Sequence, residues 1–285
     1  MPKKAVVVIS SHVARGSIGN RAAVFALEVL SHPVWAVPTI LLPWHPGHGL
    51  ATRIVPEQAE FSSFLDDLSN ATWVDEIGGV LTGYMASVEQ VRAAANFVSK
   101  LKEQNSDILY LCDPVIGDAG GLYVREEIAR HIKNDLIPLC DVATPNRFEL
   151  SWLTDQSVAE TPHQARERAS LLGVPEVLIT SVANENDHQT GSLMCNSQGA
   201  WSVMHPIIEN PPNGPGDLTA AIYLAQLMNA ASPSQRLEQT TASVLEILQH
   251  THKRGSDELT LETDAACIKA PSLKLEISEL SSHME

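Results

Sequence analysis

The sequence predicts an α/β protein: a three-layer α/β/α sandwich around a mainly parallel central sheet, with a β-hairpin at a sheet edge. Two observations carry this. Short apolar runs that stop at polar residues alternate with helical periods of ten or more residues, and such alternation implies right-handed crossovers between parallel strands. Two further runs, at 191–195 and 200–205, are separated only by Asn196-Ser197-Gln198-Gly199 and read as the hairpin. No internal repeat, low-complexity tract or linker divides the chain, so residues 1–285 are expected to form a single domain.

In order, the apolar run 6–10 is a first strand ending in Ser10, Ser11 and His12, and Ile18-Gly19-Asn20 opens a helix with apolar positions at Val24, Leu27 and Leu30. A second strand over 34–42 is broken late by Pro38. The Pro- and Gly-rich stretch Pro43-Trp44-His45-Pro46-Gly47-His48-Gly49 follows as a loop and candidate lid. Pro56 starts a helix to residue 70, 77–81 is a strand, and 87–104 is a helix with Val88, Val91, Ala95 and Val98 on its apolar face. Strands at 108–112, 141–143 and 177–180 end at Asp113-Pro114, Thr144-Pro145 and Thr180. Three largely helical stretches then begin near Asp217, Pro233 and Glu258. Ligands of such sheets gather at the carboxyl ends of the strands, which makes these polar termini the place to look for chemistry.

Composition narrows the partners. With 44% hydrophobic and 19% charged residues the chain has the makings of an ordinary core. Nineteen Lys and Arg against 34 Asp and Glu give a net charge of -15, which repels nucleic acid and offers no basic stripe. An anionic nucleotide then needs local help from helix N-termini, backbone N–H groups or a divalent cation. Behind Met1-Pro2-Lys3-Lys4 the apolar stretch Ala5-Val6-Val7-Val8-Ile9 is too short for a signal-peptide core or a membrane span. Cys112, Cys140, Cys195 and Cys267 are scattered, suggesting neither a zinc site nor a disulfide framework, and a reducing, cytoplasmic setting follows.

The most informative segment is Asn213-Gly214-Pro215-Gly216-Asp217-Leu218, a glycine turn running directly into a helix. Glycines let a backbone approach a ligand closely, and the N–H groups of a first helical turn lack intrahelical partners, so the turn can hold a phosphate; Pro215 adds no donor. Asp217 would stand beside a transferring phosphoryl group, ready to accept the proton of an attacking hydroxyl. The same Asp is also a good helix cap, and from this segment alone both readings stand.

Gly-x-Gly-Asp before a helix in the last third of an alternating α/β chain resembles the ribokinase-like family of small-molecule kinases. Thr144-Pro145-Asn146-Arg147-Phe148-Glu149 is similar to that family's Pro-Asn-x-x-Glu segment, although it equally reads as a plain helix start. Three more stretches resemble the pyridoxal kinases within the family. These are Ser11-His12-Val13 with Gly16 and Gly19-Asn20, then Thr82-Gly83-Tyr84, then Asp113-Pro114-Val115-Ile116-Gly117. Singly, Ser11 reads as a turn residue, Tyr84 as a core aromatic and Asp113 as a turn starter. Their common order over about residues 5–250 places all of them on one rim.

The resemblance implies transfer of the ATP γ-phosphate to the 5'-hydroxymethyl group of pyridoxal or a related vitamer by a cytoplasmic homodimer. It implies Asp217 as the base, Ser11, Gly47, Tyr84 and Asp217 on the alcohol side, and Asp113, Thr144, Glu149, Thr180, Gly214 and Gly216 on the ATP side. Asp113 and Glu149 would organise Mg2+. Two departures stand out. The usual His-Thr-Gln-Tyr-Gly loop is here His45-Pro46-Gly47-His48-Gly49, which removes two side-chain contacts; His45 and His48 have no Cys or further His nearby, so a zinc site is not expected. Thr180 stands where some relatives place a phosphate-binding Lys, shifting charge neutralisation to Mg2+, to K+ and to the turn around Gly216. The alternatives are hydroxymethylpyrimidine kinase and a non-catalytic vitamin- or nucleotide-binding protein of the same fold. A dinucleotide-dependent dehydrogenase is disfavoured, because the first strand does not lead into a Gly-x-Gly-x-x-Gly turn.

Overall fold

The computed structural model describes residues 3–184 and 188–281, so Met1 and Pro2 of the opening segment lie outside the described residues. Strands β1 (Ala5–Val13), β2 (Val34–Leu42), β3 (Ile77–Thr82), β4 (Leu109–Cys112), β7 (Val142–Ala143) and β8 (Glu176–Ala183) pair in parallel in the order β2-β1-β3-β4-β7-β8. Beyond β8 the sheet turns antiparallel through β9 (Gln189–Asn196), β10 (Gly199–Pro206) and β11 (Ile277–Glu279). The short β5 (Gly117–Asp118) and β6 (Gly121–Leu122) form a separate two-stranded ribbon.

Period-two alternation sorts the core into two layers. Val7, Ile9, Val80, Tyr110 and Cys112 face α2 (Gln58–Ser69), α3 (Val88–Gln104) and α4 (Glu126–His131). Val6, Val8, Leu81, Leu111 and Leu178 face α1 (Asn20–Val29), α7 (Pro215–Met228) and α8 (Pro233–Arg254). Helices α5 (Arg147–Thr154) and α6 (Pro162–Ser170) extend the first layer over Val177 and Ile179. Burial on both faces is why the parallel strands read as unbroken apolar runs.

The sequence boundaries hold for most elements, and the differences have local causes. Pro38 sits inside β2, which tolerates it because β2 is the last strand of the sheet and its outer edge needs no ladder donor. Strand β8 continues past Thr180 through a bulge between Ile179 and Val182, where Ser181 takes a positive φ of 56°. The hairpin is present with Ser197 and Gln198 at its turn, but β11 pairs outside it and takes the edge position. The stretch near Glu258 is not a helix. Residues around Glu258 and Leu259 run irregularly, Asn213 and Glu258 form an isolated parallel bridge, and the only helix there is the five-residue α9 (Ala265–Lys269).

One packing detail positions the site. Helices α1 and α7 meet along a seam of small buried side chains, Ala22, Ala23 and Ala26 against Ala220, Ala221 and Ala225. Alanines allow close approach of the two helices, and their N-termini arrive together beside the ends of β1 and β3. Two helix N-termini there add their partial positive charges, which an acidic chain needs if it is to accept an anion.

Candidate active site

The rim that the sequence predicts exists. Ser11 lies near the end of β1, Tyr84 just beyond β3, Asp113 beyond β4, Thr144 beyond β7, and Asp217 in the first turn of α7. Between β2, on one side of β1, and β3, on the other, the chain direction of the crossovers reverses, and a crevice opens there in folds of this type.

The glycine turn is built for close approach. Gly214 caps α7 with φ of 102°, and a methyl group on it would lie 2.2 Å from the Ser17 carbonyl oxygen, so no other residue fits. Gly216, two residues on, faces open space: a methyl group there meets nothing within 4 Å. The Gly216 N–H belongs to a first turn that has no preceding carbonyl to bond, leaving it for a ligand, whereas the Asp217 N–H turns to its own carboxylate.

Asp217 is partly buried in this surround. Burial pushes its carboxyl up from 3.8 to about 6, against the pull of the Gly19 N–H and its own N–H. Gly83 lies beside it: a β-carbon there would be 3.9 Å from Asp217 Oδ1 and only 2.5 Å from Ser10 Oγ, so it is Ser10 that leaves no room for a side chain. The cap reading of Asp217 is therefore incomplete: Gly214 is the N-cap, and the Asp carboxyl points toward the α1 terminus and the end of β3 instead.

Asp113 is buried too and accepts a hydrogen bond from the Thr144 hydroxyl at 3.0 Å. Burial, then the neighbouring Glu149 and Asp217, push its carboxyl well above the usual range. Glu149 serves two neighbours at once: Oε2 accepts from the Asn146 N–H at 3.0 Å, completing a capping box on α5, and Oε1 accepts from the Ile116 N–H at 2.8 Å. Its carboxyl is raised to about 7, by burial against the opposing backbone donors. The helix-start reading of Asn146 and Glu149 is thus correct. It coexists with a place beside Asp113, since three donors leave about one lone pair of the carboxylate open.

None of these three carboxyls is ion-paired among the described residues. Asp113, repelled by Glu149 and Asp217, offers hard carboxylate oxygens of the kind that suit a divalent ion keeping several of its waters. Asp113 and Glu149 are the residues that would hold such an ion. Thr180 donates its N–H to the Pro145 carbonyl at 3.0 Å and bridges Asn146, which places it next to Thr144 on the same side.

On the other side, the Tyr84 N–H donates to Ser10 Oγ at 3.2 Å, and its hydroxyl accepts from Arg53 at 3.0 Å. Ser11 Oγ lies close enough to Gly19 that a methyl group there would sit 2.4 Å away. Residues Pro46–His48 form a 3-10 turn capped by His45, whose Nδ1 accepts from the Gly47 N–H. Gly47 faces the glycine turn, with Asn213 Nδ2 3.7 Å from where its Cβ would be. Burial lowers the His45 imidazole below its ordinary value. Arg53 and Glu258 were not anticipated from the sequence. Both act across long chain separations, and no motif spacing marks them.

A mainly parallel sheet with an antiparallel margin, its strand ends facing a glycine turn that carries an acid at a helix start, defines a ribokinase-like protein. The phosphomethylpyrimidine kinase family model matches residues 59–262. Pyridoxal kinase PdxY of Corynebacterium diphtheriae is 31% identical over 97% of this chain and 99% of its own, and pyridoxal kinase PdxY of Rubrobacter xylanophilus is 33% identical over 97% of each. Pyridoxal kinase from Leishmania donovani, solved in complex with ADP and pyridoxamine, superposes with a TM-score of 0.90 at 28% identity, covering 98% of this chain and 100% of that one. The chain belongs to the phosphomethylpyrimidine kinase family, alongside the pyridoxal kinases.

Proposed function

We propose that this protein is an ATP-dependent pyridoxal kinase. It would transfer the γ-phosphate of ATP to the 5'-hydroxymethyl group of pyridoxal or a related vitamer, breaking the bond to the β-phosphate oxygen and yielding the 5'-phosphate and ADP. The observation that carries the chemistry is the partly buried Asp217 carboxyl at the head of α7, beside the open N–H group of Gly216 and next to Asp113. The curated relatives named pyridoxal kinase support the choice of alcohol.

In this reading the hydroxyl of the acceptor lies against Asp217, which takes its proton as the oxygen attacks phosphorus in line. A carboxyl raised to about 6 suits the task, since it is ionised at neutral pH yet basic enough to receive a proton. The N–H groups of Gly214 and Gly216 face the transferring phosphoryl oxygens, and the Thr144 and Thr180 hydroxyls face the nucleotide side. Ser11, Tyr84 and the loop at Gly47 hold the ring. Asp113 and Glu149 would hold magnesium, which would supply charge neutralisation to the phosphates. With Thr180 uncharged, K+ is a further cation to test. One domain over 1–285, a cytoplasmic setting and a homodimer complete the proposal. The four free thiols agree with the setting, and light scattering on the purified protein reads the dimer.

The deciding experiment is a side-by-side phosphorylation assay with pyridoxal and with hydroxymethylpyrimidine, run on the wild type and on Asp217→Asn. The expected result is preferred turnover of pyridoxal and a fall of about 10²–10⁴-fold in the variant, which stays folded. Preference for the pyrimidine, whose kinases the family model describes, would move the activity to that alcohol. Pyridoxal binding without ATP consumption would make the protein a binder. Full activity of Asp217→Asn would remove it as base.

A further inference from the structure

We infer that Glu258 is a positioning residue, one buried carboxylate that ties the substrate-side loop to the glycine turn and thereby sets the affinity for the alcohol. This deepens the proposed function and rests on it for the identity of the alcohol.

Four observations converge on this side chain, which is only 10% exposed. Its Oε1 lies 2.8 Å from His48 Nε2, the last residue of the 3-10 turn in the loop after β2. Its Oε2 accepts from the Ser17 N–H at 3.4 Å, and the Ser17 carbonyl packs against Gly214. Its backbone bridges Asn213, the residue before the glycine turn. Gly16, at φ of 106°, passes directly over it: a methyl group there would lie 2.6 Å from the carboxylate, which gives that glycine a physical reason.

The charged groups facing Glu258 are Arg15 at 3.7 Å, His48 and, at longer range, His45; Arg15 is itself committed to Asp257 at 2.8 Å. One nearly buried acid therefore serves two loops with few other partners, and loss of either contact leaves it undersatisfied. Because Pro46 and Gly47 offer no polar side chain to the substrate, the loop's grip on the ring depends on where its backbone is held. His48 and Glu258 hold it, within reach of Asn213. An interaction of this kind, made equally before and during the reaction, acts on KM and leaves kcat largely alone.

The test uses the full-length protein with His48→Ala, His48→Gln, Glu258→Gln and the double variant Glu258→Gln/His48→Ala. KM and calorimetric Kd for pyridoxal are expected to rise about tenfold in His48→Ala and in Glu258→Gln, with kcat changed by less than about threefold and the KM for ATP raised far less than that for pyridoxal. His48→Gln, which keeps a donor toward Glu258, should restore affinity, and the double variant should be no worse than the worse single one. A purely structural role would lower thermal stability without this split or this rescue. Amide hydrogen exchange in the unliganded protein reads the coupling without any substrate: Glu258→Gln should speed exchange at Ser17 and at residues 47–49 together. Unchanged exchange, multiplying effects in the double variant, or an equal rise in the KM for ATP would overturn the inference. Absence of pyridoxal turnover in the wild type overturns the proposed function instead, and the exchange arm still decides the coupling.

Discussion

At the scale of single residues, Asp217 carries the heaviest physical load, because the fold holds it where its charge is least welcome. In an unfolded chain its carboxyl ionises near 3.8, whereas in the fold it holds its proton up to about 6. Between those values the folded state binds more protons than the unfolded one, so stability falls as pH rises through the window and stays lowered above it. The cost at pH 8 is about 3 kcal/mol, an amount that a functional site tolerates and a mere cap has no reason to carry. Two outcomes follow from the one value. The kcat/KM profile should fall on its acid side near pH 6 as Asp217 takes up its proton. Asp217→Asn should melt at a higher temperature than the wild type at pH 8 and show little difference at pH 4, because Asn keeps an acceptor for the Gly19 N–H without the charge. A variant that is less stable at pH 8 would mean that the carboxylate is a net structural asset.

At the scale of elements, the parallel strands and long helices were legible because burial on both sheet faces writes unbroken apolar runs, and amphipathic helices write their own period. The last fifty residues were less legible. Glu258 looks like a helix start in sequence, yet it faces inward to meet Gly16, Ser17 and His48, a role set by contacts some 210 to 242 positions away that no local pattern encodes. Strand β11 is three residues long and pairs only because β10 presents an open edge. In the site, the rim of Ser11, Tyr84, Asp113, Thr144 and Asp217 was readable because each lies near the end of a strand, follows one or opens a helix. The double duty of Glu149 was not, since Ile116 and Gly117 reach it through a folded loop. The element most dependent on one residue is the turn into α7. Gly214→Ala would force a β-carbon to 2.2 Å from the Ser17 oxygen at a φ of 102°, so the turn must shift. We expect a loss of about 1–3 kcal/mol in thermal or denaturant unfolding together with a much weaker affinity for ATP, whereas Gly216→Ala, which meets no protein atom, should leave stability nearly intact and impair only ATP binding.

At the scale of the whole molecule, a chain of net charge -15 has to bind a nucleotide that is itself an anion. The structure's means are short-ranged: the joined N-termini of α1 and α7, the N–H group at Gly216, and a donor set of carboxyls that suits a divalent ion. Such devices act within a few ångströms, while the net charge acts over a Debye length, which is about 30 Å at 10 mM salt and about 8 Å at 150 mM. Approach and capture are therefore governed by opposite signs. Enzymes that steer an anion with positive charge lose association rate as salt rises. Here the long-range term is repulsive, so adding salt should screen it and speed association. Stopped-flow binding of a fluorescent ATP analogue, with magnesium fixed and tetramethylammonium chloride as the salt so that no K+ effect intrudes, should show an association rate rising severalfold between about 10 and 150 mM, with the dissociation rate nearly constant. A rate that falls over the same range would mean that the field of the two helix termini outweighs the acidic surface even before contact.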